Sequence, residues 1–212
     1  DVVKYLLYDL IPTGCLEHAE TPAQKKRAHT SALSNSLLTA LVSKTGEQIL
    51  ELTKDEWYYK DDESDLTFVR KFVLEGILKV YKEATASTES LDQKYSRMLS
   101  LTDLMNQIIN PKEALIGSDG NVMKASELHL RRIMFEKGFV GALTASIADI
   151  DLNFPGAKRA VKHILRPLRI LTQTGVHLSE LGKVASVPGQ EAEDEIEEGL
   201  VLIRQLQEYA AK

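Results

Sequence analysis

The chain has 212 residues, of which 43% are hydrophobic and 27% charged, and its formal net charge is -5. Those proportions are typical of a globular protein, and no apolar run approaches the ~20 residues needed to span a bilayer. The acidic balance argues against a dedicated nucleic-acid module, whose phosphate contacts need a basic surface. Cys15 is the single cysteine, which excludes an intrachain disulfide and fits a reducing, intracellular setting. The opening Asp1-Val2-Val3 carries neither an initiator Met nor a basic-then-apolar leader, so the sequence reads as an excerpt from a longer polypeptide.

In chain order, Val2 to Ile11 predicts a short helix stopped by Pro12 and Gly14. Thr21-Pro22 has the form of an N-cap followed by proline at the first helical position. Ala28, Ala32, Leu33, Ser36, Leu37, Ala40 and Leu41 then trace one helical face as far as Gly46. Asp65 is the expected cap of the next helix, where Val69, Phe72, Val73, Gly76, Ile77, Val80 and Tyr81 alternate in steps of three and four. Gly76 within that stripe points to close approach by a neighbour.

Ser90 is the expected cap of a helix with Leu91, Tyr95, Met98, Leu101, Met105, Ile108 and Ile109 on its inner side, closed by Pro111. Gly117, Asp119, Gly120 and Asn121 mark the stretch from Lys112 to Lys124 as irregular. Ala125 to Glu136 and Phe139 to Ile150 are two further helices, joined tightly at Gly138. After a break at Asn153, Pro155 and Gly156 comes the cleanest stripe of all, Val161, Ile164, Leu165, Leu168, Leu171, Gly175 and Leu178. Pro167 interrupts it. A proline there removes a backbone donor and clashes one turn back, at on the order of 3 kcal/mol, so neighbours must hold this helix and it should bend.

Few segments combine period-two alternation with β-branched and aromatic content. The expected fold is therefore all-α, roughly eight helices forming an armadillo- or HEAT-like α-solenoid segment; a closed helical bundle is the alternative. The expected organisation is a helical segment over 1–186, an acidic linker over 187–198 and a terminal amphipathic helix over 199–212 that uses Leu200, Val201, Ile203, Leu206 and Tyr209.

No constellation specifies catalysis, a metal or a cofactor. Cys15 and His18 have the C-x-x-H spacing of half a zinc site, but no second pair matches it and a closed site needs four ligands. Cys15 as a nucleophile would need a positioned base, and neither His18 nor His29 is specified for that role. His129, His163 and His177 are scattered on different helices or turns. Phosphate-loop, dinucleotide and zinc-helix motifs are absent from the sequence, and Ser118-Asp119-Gly120-Asn121 has too few carboxylates for a calcium loop.

Three surfaces are candidates for binding partners. Lys158, Arg159, Lys162, His163, Arg166 and Arg169 cluster on the polar side of the proline-containing helix, where a basic groove would attract acidic peptides, RNA or the chain's own acidic tract. Trp57, Tyr58 and Tyr59 precede Lys60-Asp61-Asp62-Glu63 and could anchor a partner or pin a loop to the core. The run from Gln190 to Glu198, with Glu193, Asp194 and Glu195 at its centre, could recruit basic proteins, and its charges favour the start of a following helix.

Three stretches together carry a family resemblance: Leu10-Ile11-Pro12-Thr13-Gly14 running into His18-Ala19-Glu20-Thr21-Pro22, then Leu101-Thr102-Asp103-Leu104-Met105-Asn106, then Ile164-Leu165-Arg166-Pro167-Leu168-Arg169-Ile170-Leu171-Thr172. With the acidic run after Gly189, they resemble the giant HECT-type ubiquitin ligases, the animal Mule type and its fungal counterpart. Arg166 stands where lysine is usual in that family's K-P-L-x-x-L-T helix. The resemblance implies a piece of the armadillo-like scaffold that precedes a C-terminal HECT domain. It also implies protein substrates, among them basic nuclear proteins such as histones and unassembled ribosomal proteins. Other segments of the same ligase chain are further expected partners, and nucleus and cytoplasm the expected locations. The family's acceptor cysteine lies in the HECT domain and Cys15 does not match it, so this segment is expected to be non-catalytic while its parent is a ubiquitin-protein transferase. A generic peptide-binding adaptor or transport solenoid is the alternative function.

Overall fold

The computed structural model describes residues 2–13, 20–43, 64–110, 125–180 and 197–205. Helix α1 (Val2–Tyr5) continues as a π turn (Leu6–Leu10) and a 3-10 turn (Ile11–Thr13). It is followed by α2 (Pro22–Val42), α3 (Ser64–Thr85), α4 (Leu91–Ile109), α5 (Ala125–Glu136), α6 (Phe139–Ala148) and α7 (Ala157–Glu180), and a further helix, α8, covers 197–205. No strand occurs among the described residues.

Local chemistry accounts for most boundaries. Thr21 caps α2 in a reciprocal box: its hydroxyl accepts from the Gln24 amide at 3.2 Å, and the Gln24 side-chain oxygen accepts from the Thr21 amide at 3.0 Å. Ser90 is the N-cap of α4, although its side chain makes no capping bond. Helix α3 begins at Ser64, so Asp65 lies in its first turn and is not the cap the sequence suggested. Its carboxylate still favours the positive end of the helix dipole. Gly138 has φ +80°, which turns the chain between α5 and α6 without the penalty a Cβ would bring.

The helices pack in two rows. In one, α2, α4 and α7 lie side by side; in the other, the α1 segment, α3 and α6 do so; the rows are joined by α2 on α3, α3 on α4, α6 on α7 and the 3-10 turn on α2 and α4, and α5 packs on α7. This is an all-α, solenoid-like segment, in which each helix is stabilised by burying apolar surface against its neighbours. Helix α4 sits innermost. Tyr95, Met98, Leu101, Leu104, Met105, Ile108 and Ile109 are buried, and Ser100 and Thr102 are buried between them, so its middle is enclosed on every side. Leu91, at its exposed first turn, is the one residue of the expected inner face that stays outside, and on α3 Phe72 does the same.

Specific contacts fasten the helices to one another. A Cβ on Gly76 would lie 3.1 Å from Leu7 Cδ1, so the missing side chain is what lets the α1 segment settle on α3. Tyr81 on α3 is buried with its hydroxyl 2.7 Å from Ser146 Oγ on α6. Burial holds its phenol well above the usual tyrosine range, with the Ser146 hydrogen bond acting in the opposite direction. Tyr95 on α4 accepts a hydrogen bond from the Asp151 amide at 2.7 Å through its hydroxyl oxygen and packs edge-on against Phe154, fixing the α6–α7 connection.

Arg70 is fully buried on α3. Its Nε donates to the Val42 carbonyl at 2.8 Å, one of the carbonyls the end of α2 leaves without an intrahelical partner. Its Nη1 lies 3.1 Å from His129 Nδ1 on α5. A guanidinium can only donate, so that ring nitrogen is the acceptor and the His129 proton sits on Nε2. One side chain thus ties three helices. Arg70→Ala is expected to lower unfolding stability by about 3 kcal/mol in a denaturant titration, because two buried acceptors lose their donor; a loss below about 1 kcal/mol would mean that these bonds are not structural.

Candidate interaction surfaces

Helix α7 separates its chemistry cleanly. Val161, Ile164, Leu168, Leu171 and Leu178 are buried, and Pro167 is buried among them within an uninterrupted helix. Lys158, Arg159, Lys162, Arg166 and Arg169 are exposed on the other side. The positions 159, 162, 166 and 169 advance by three and four, so these cations form one stripe about 15 Å long. Like charges at that spacing repel one another weakly, and an anionic partner laid along the stripe would relieve the repulsion.

His163 does not belong to this stripe. It is half-buried at the flank of α7, and its Nδ1–H donates to the Asp103 carboxylate on α4 at 2.7 Å. Its backbone carbonyl lies 3.5 Å from Asn106 Nδ2, also on α4. That carbonyl is four residues before Pro167 and is the one the proline cannot serve. Two residues of α4, one turn apart, therefore grip α7 where its own hydrogen-bond ladder is broken. The sequence carries the signal as Asp103, Asn106 and Pro167, but it becomes readable only once α4 is known to lie against α7.

The remaining candidates divide. Trp57, Tyr58, Glu193, Asp194 and Glu195 lie outside the described residues, as do Cys15, His18 and the stretch 112–124. Glu197 and Glu198, the last acids of the run, are exposed at the start of α8. Immediately after them Gly199 is buried, with its Cβ position 3.0 Å from Thr172 Oγ1 and 3.6 Å from Val140. The end of the acidic run is thereby anchored to α6 and α7. Leu202 and Ile203 pack on the core while Leu200 and Val201 are exposed, so of the expected apolar residues within the described span Ile203 alone faces inward, and Leu206 and Tyr209 lie outside it. His29 is exposed on α2, and His177 faces Glu180 of its own helix at 3.6 Å. Among the described residues, no three His, Cys, Asp or Glu side chains converge as metal ligands, and no helix is long and apolar enough to cross a membrane.

Two apolar surfaces went unnoticed in the sequence as surfaces. Phe68 and Phe72 stack at 6.4 Å on the exposed side of α3, and Leu33, Leu37 and Leu41 line the exposed side of α2. The sequence does show the α2 stripe, but periodicity cannot say which side of a helix has a neighbour.

The described residues thus form an all-α solenoid-like segment whose prominent surface features are a basic stripe and exposed apolar faces. The chain is 40% identical over 211 residues to an E3 ubiquitin-protein ligase TOM1-like of Neurospora crassa, a match that takes in 92% of this chain and 5% of that protein. It is 26% identical over 179 residues to E3 ubiquitin-protein ligase ptr1 of Schizosaccharomyces pombe (84% of this chain, 5% of that protein). With E3 ubiquitin-protein ligase TOM1 of Saccharomyces cerevisiae it shares 24% over 200 residues (92% and 6%). The chain is thus homologous to a short segment of TOM1-type E3 ubiquitin ligases and spans about one twentieth of the length of these curated relatives. No family model matches it, and no solved structure does.

Because Arg166 and Arg169 are exposed, reversing both to Glu is expected to leave stability within about 0.5 kcal/mol. The same double variant should weaken binding of an acidic peptide about fivefold at low salt. Equal affinity of both proteins, read by fluorescence anisotropy, would remove the stripe as a binding face.

Proposed function

We propose that this chain is a non-catalytic helical scaffold segment of a HECT-type ubiquitin-protein ligase, serving substrate recruitment and the ring-like architecture that presents substrates to a distant catalytic domain. The observation that carries this reading is the 40% identity that runs through 92% of the chain while occupying 5% of a named E3 ligase. A segment so small a part of its relatives, offering faces for contact, suits a scaffold. In this reading the partners are protein substrates, with basic nuclear proteins such as histones or unassembled ribosomal proteins drawn to the acidic run at Glu193, Asp194 and Glu195. The basic stripe of Arg159, Lys162, Arg166 and Arg169 and the aromatics Trp57 and Tyr58 serve other protein contacts, including segments of the same ligase. Work in nucleus and cytoplasm belongs to the same proposal.

The test uses the full-length polypeptide that carries these residues, intact and with residues 191–198 deleted. Both are expected to take ubiquitin as a thioester from a conjugating enzyme, and the isolated 212-residue chain is expected to take none. Histone ubiquitination should fall in the deletion variant, and the difference should shrink as salt is raised. A reductant-sensitive ubiquitin adduct on Cys15 would overturn the non-catalytic role. A full-length protein that forms no thioester would favour an adaptor solenoid without a ubiquitin role.

A further inference from the structure

Helix α2 has its polarity reversed. Its buried face carries Ser31, Ser34 and Asn35 beside Leu38 and Val42. Its outer face carries Leu33, Leu37 and Leu41, which are 58%, 48% and 41% exposed, with Ala32, Ser36 and Ala40 exposed beside them. From Thr30 to Val42 there is no charged residue on any side. A helix at a water-facing surface normally turns charges outward and apolar groups inward. Of the inner polar groups, Ser31 Oγ donates to the Ile11 carbonyl at 2.8 Å and Ser34 Oγ to the Thr30 carbonyl at 2.9 Å, while Asn35 Oδ1 is buried without a hydrogen-bond partner. The outer leucines have no such compensation.

The position of α2 says what kind of occupant fits. It packs inward on the 3-10 turn, α4 and α3, and the side that carries Leu33, Leu37 and Leu41 is left exposed. At the opposite end of the row α2–α4–α7, helix α7 exposes Lys162, Arg166 and Arg169, a face suited to solvent or to charged partners. In a stacked array each layer covers the apolar face of the next, and a terminal layer needs a polar outer face to stay in water. Helix α2 lacks one. The leucines repeat every fourth residue and so form a ridge of the kind that interdigitates with a second helix. Matching chain is abundant if this is a piece of a protein like its relatives, of which it covers 5–6%.

We infer that the Leu33–Leu37–Leu41 face of α2 is the seam on which an adjacent helical layer of the same, longer polypeptide packs. This rests on the scaffold reading above and names the surface through which the segment is built into its parent. Leu37→Cys, with Leu33→Cys as a second variant, places a thiol on the seam without touching a buried group. Maleimide labelling of that position is followed by mass spectrometry in the isolated 212-residue chain and in the full-length polypeptide. Labelling should be fast in the isolated chain and at least about tenfold slower in the full-length protein. Equal rates in the two overturn the seam. Slow labelling in an isolated chain of dimeric mass means that a second copy covers the face, and overturns it too. A ubiquitin thioester assay on the same full-length preparation separates the two readings. Thioester formation with equal labelling discards the seam alone, whereas protection without a thioester keeps the seam and discards the ligase.

Discussion

Pro167 takes one hydrogen bond out of α7, and the arrangement of the molecule follows from where its replacement comes from. The carbonyl left without an amide donor is that of His163. Asn106 of α4 brings its side-chain amide to 3.5 Å from that oxygen, while Asp103, one turn earlier, accepts from the His163 ring at 2.7 Å. A defect internal to one helix is thereby converted into a fixed register between two. Sliding either helix by a turn would take these partners from the half-buried His163, whereas the Asp103 carboxylate, 41% exposed, would still meet water.

With α7 registered on α4, the rest of the stack has a fixed centre. Helix α4 is enclosed along its middle because α7 covers one side and α2, α3 and the α1 segment cover the others. Polar contacts then fasten the other helices: Tyr81 with Ser146 between α3 and α6, Arg70 of α3 with the end of α2 and with α5, and Lys137 of the α5–α6 turn with Glu75 of α3. Apolar burial supplies the drive to pack, but it is not directional. These few bonds select one alignment among the many that burial alone would allow. The two ends of the first row then diverge, charged at α7 and apolar at α2, which is the asymmetry expected of a layer with a neighbour on one side only.

Much of this was legible in the residues themselves. The Thr21-Pro22 cap, the close approach at Gly76 and the buried stripe through Leu168 and Leu171 depend on short-range stereochemistry, and all three hold. So does the exposed placement of Arg159, Lys162, Arg166 and Arg169, because a stripe opposite a long apolar face has nowhere else to point. What failed depends on neighbours. The apolar periodicity of α2 is real, yet it marks the outer face, since serine hydroxyls that bond back to nearby carbonyls can be buried cheaply. Leu91 and Phe72 fit their stripes but sit where no helix covers them. His163 was grouped with the basic residues although it is turned toward Asp103, a partner 60 residues away in sequence. Two of the three sequence stretches that resemble the ligase family, Leu101–Asn106 and Ile164–Thr172, meet in one contact.

That contact is open to a direct measurement. A double-mutant cycle on Asn106→Leu and Pro167→Ala, read by denaturant unfolding, asks whether the amide of Asn106 matters because the proline is there. Alanine at 167 restores the backbone donor to the His163 carbonyl, so Asn106→Leu should cost about 1 kcal/mol with proline present and much less with alanine. The two changes should therefore be coupled by roughly 0.5 kcal/mol or more. Additive effects would contradict the account, because α4 would then hold α7 by apolar packing alone.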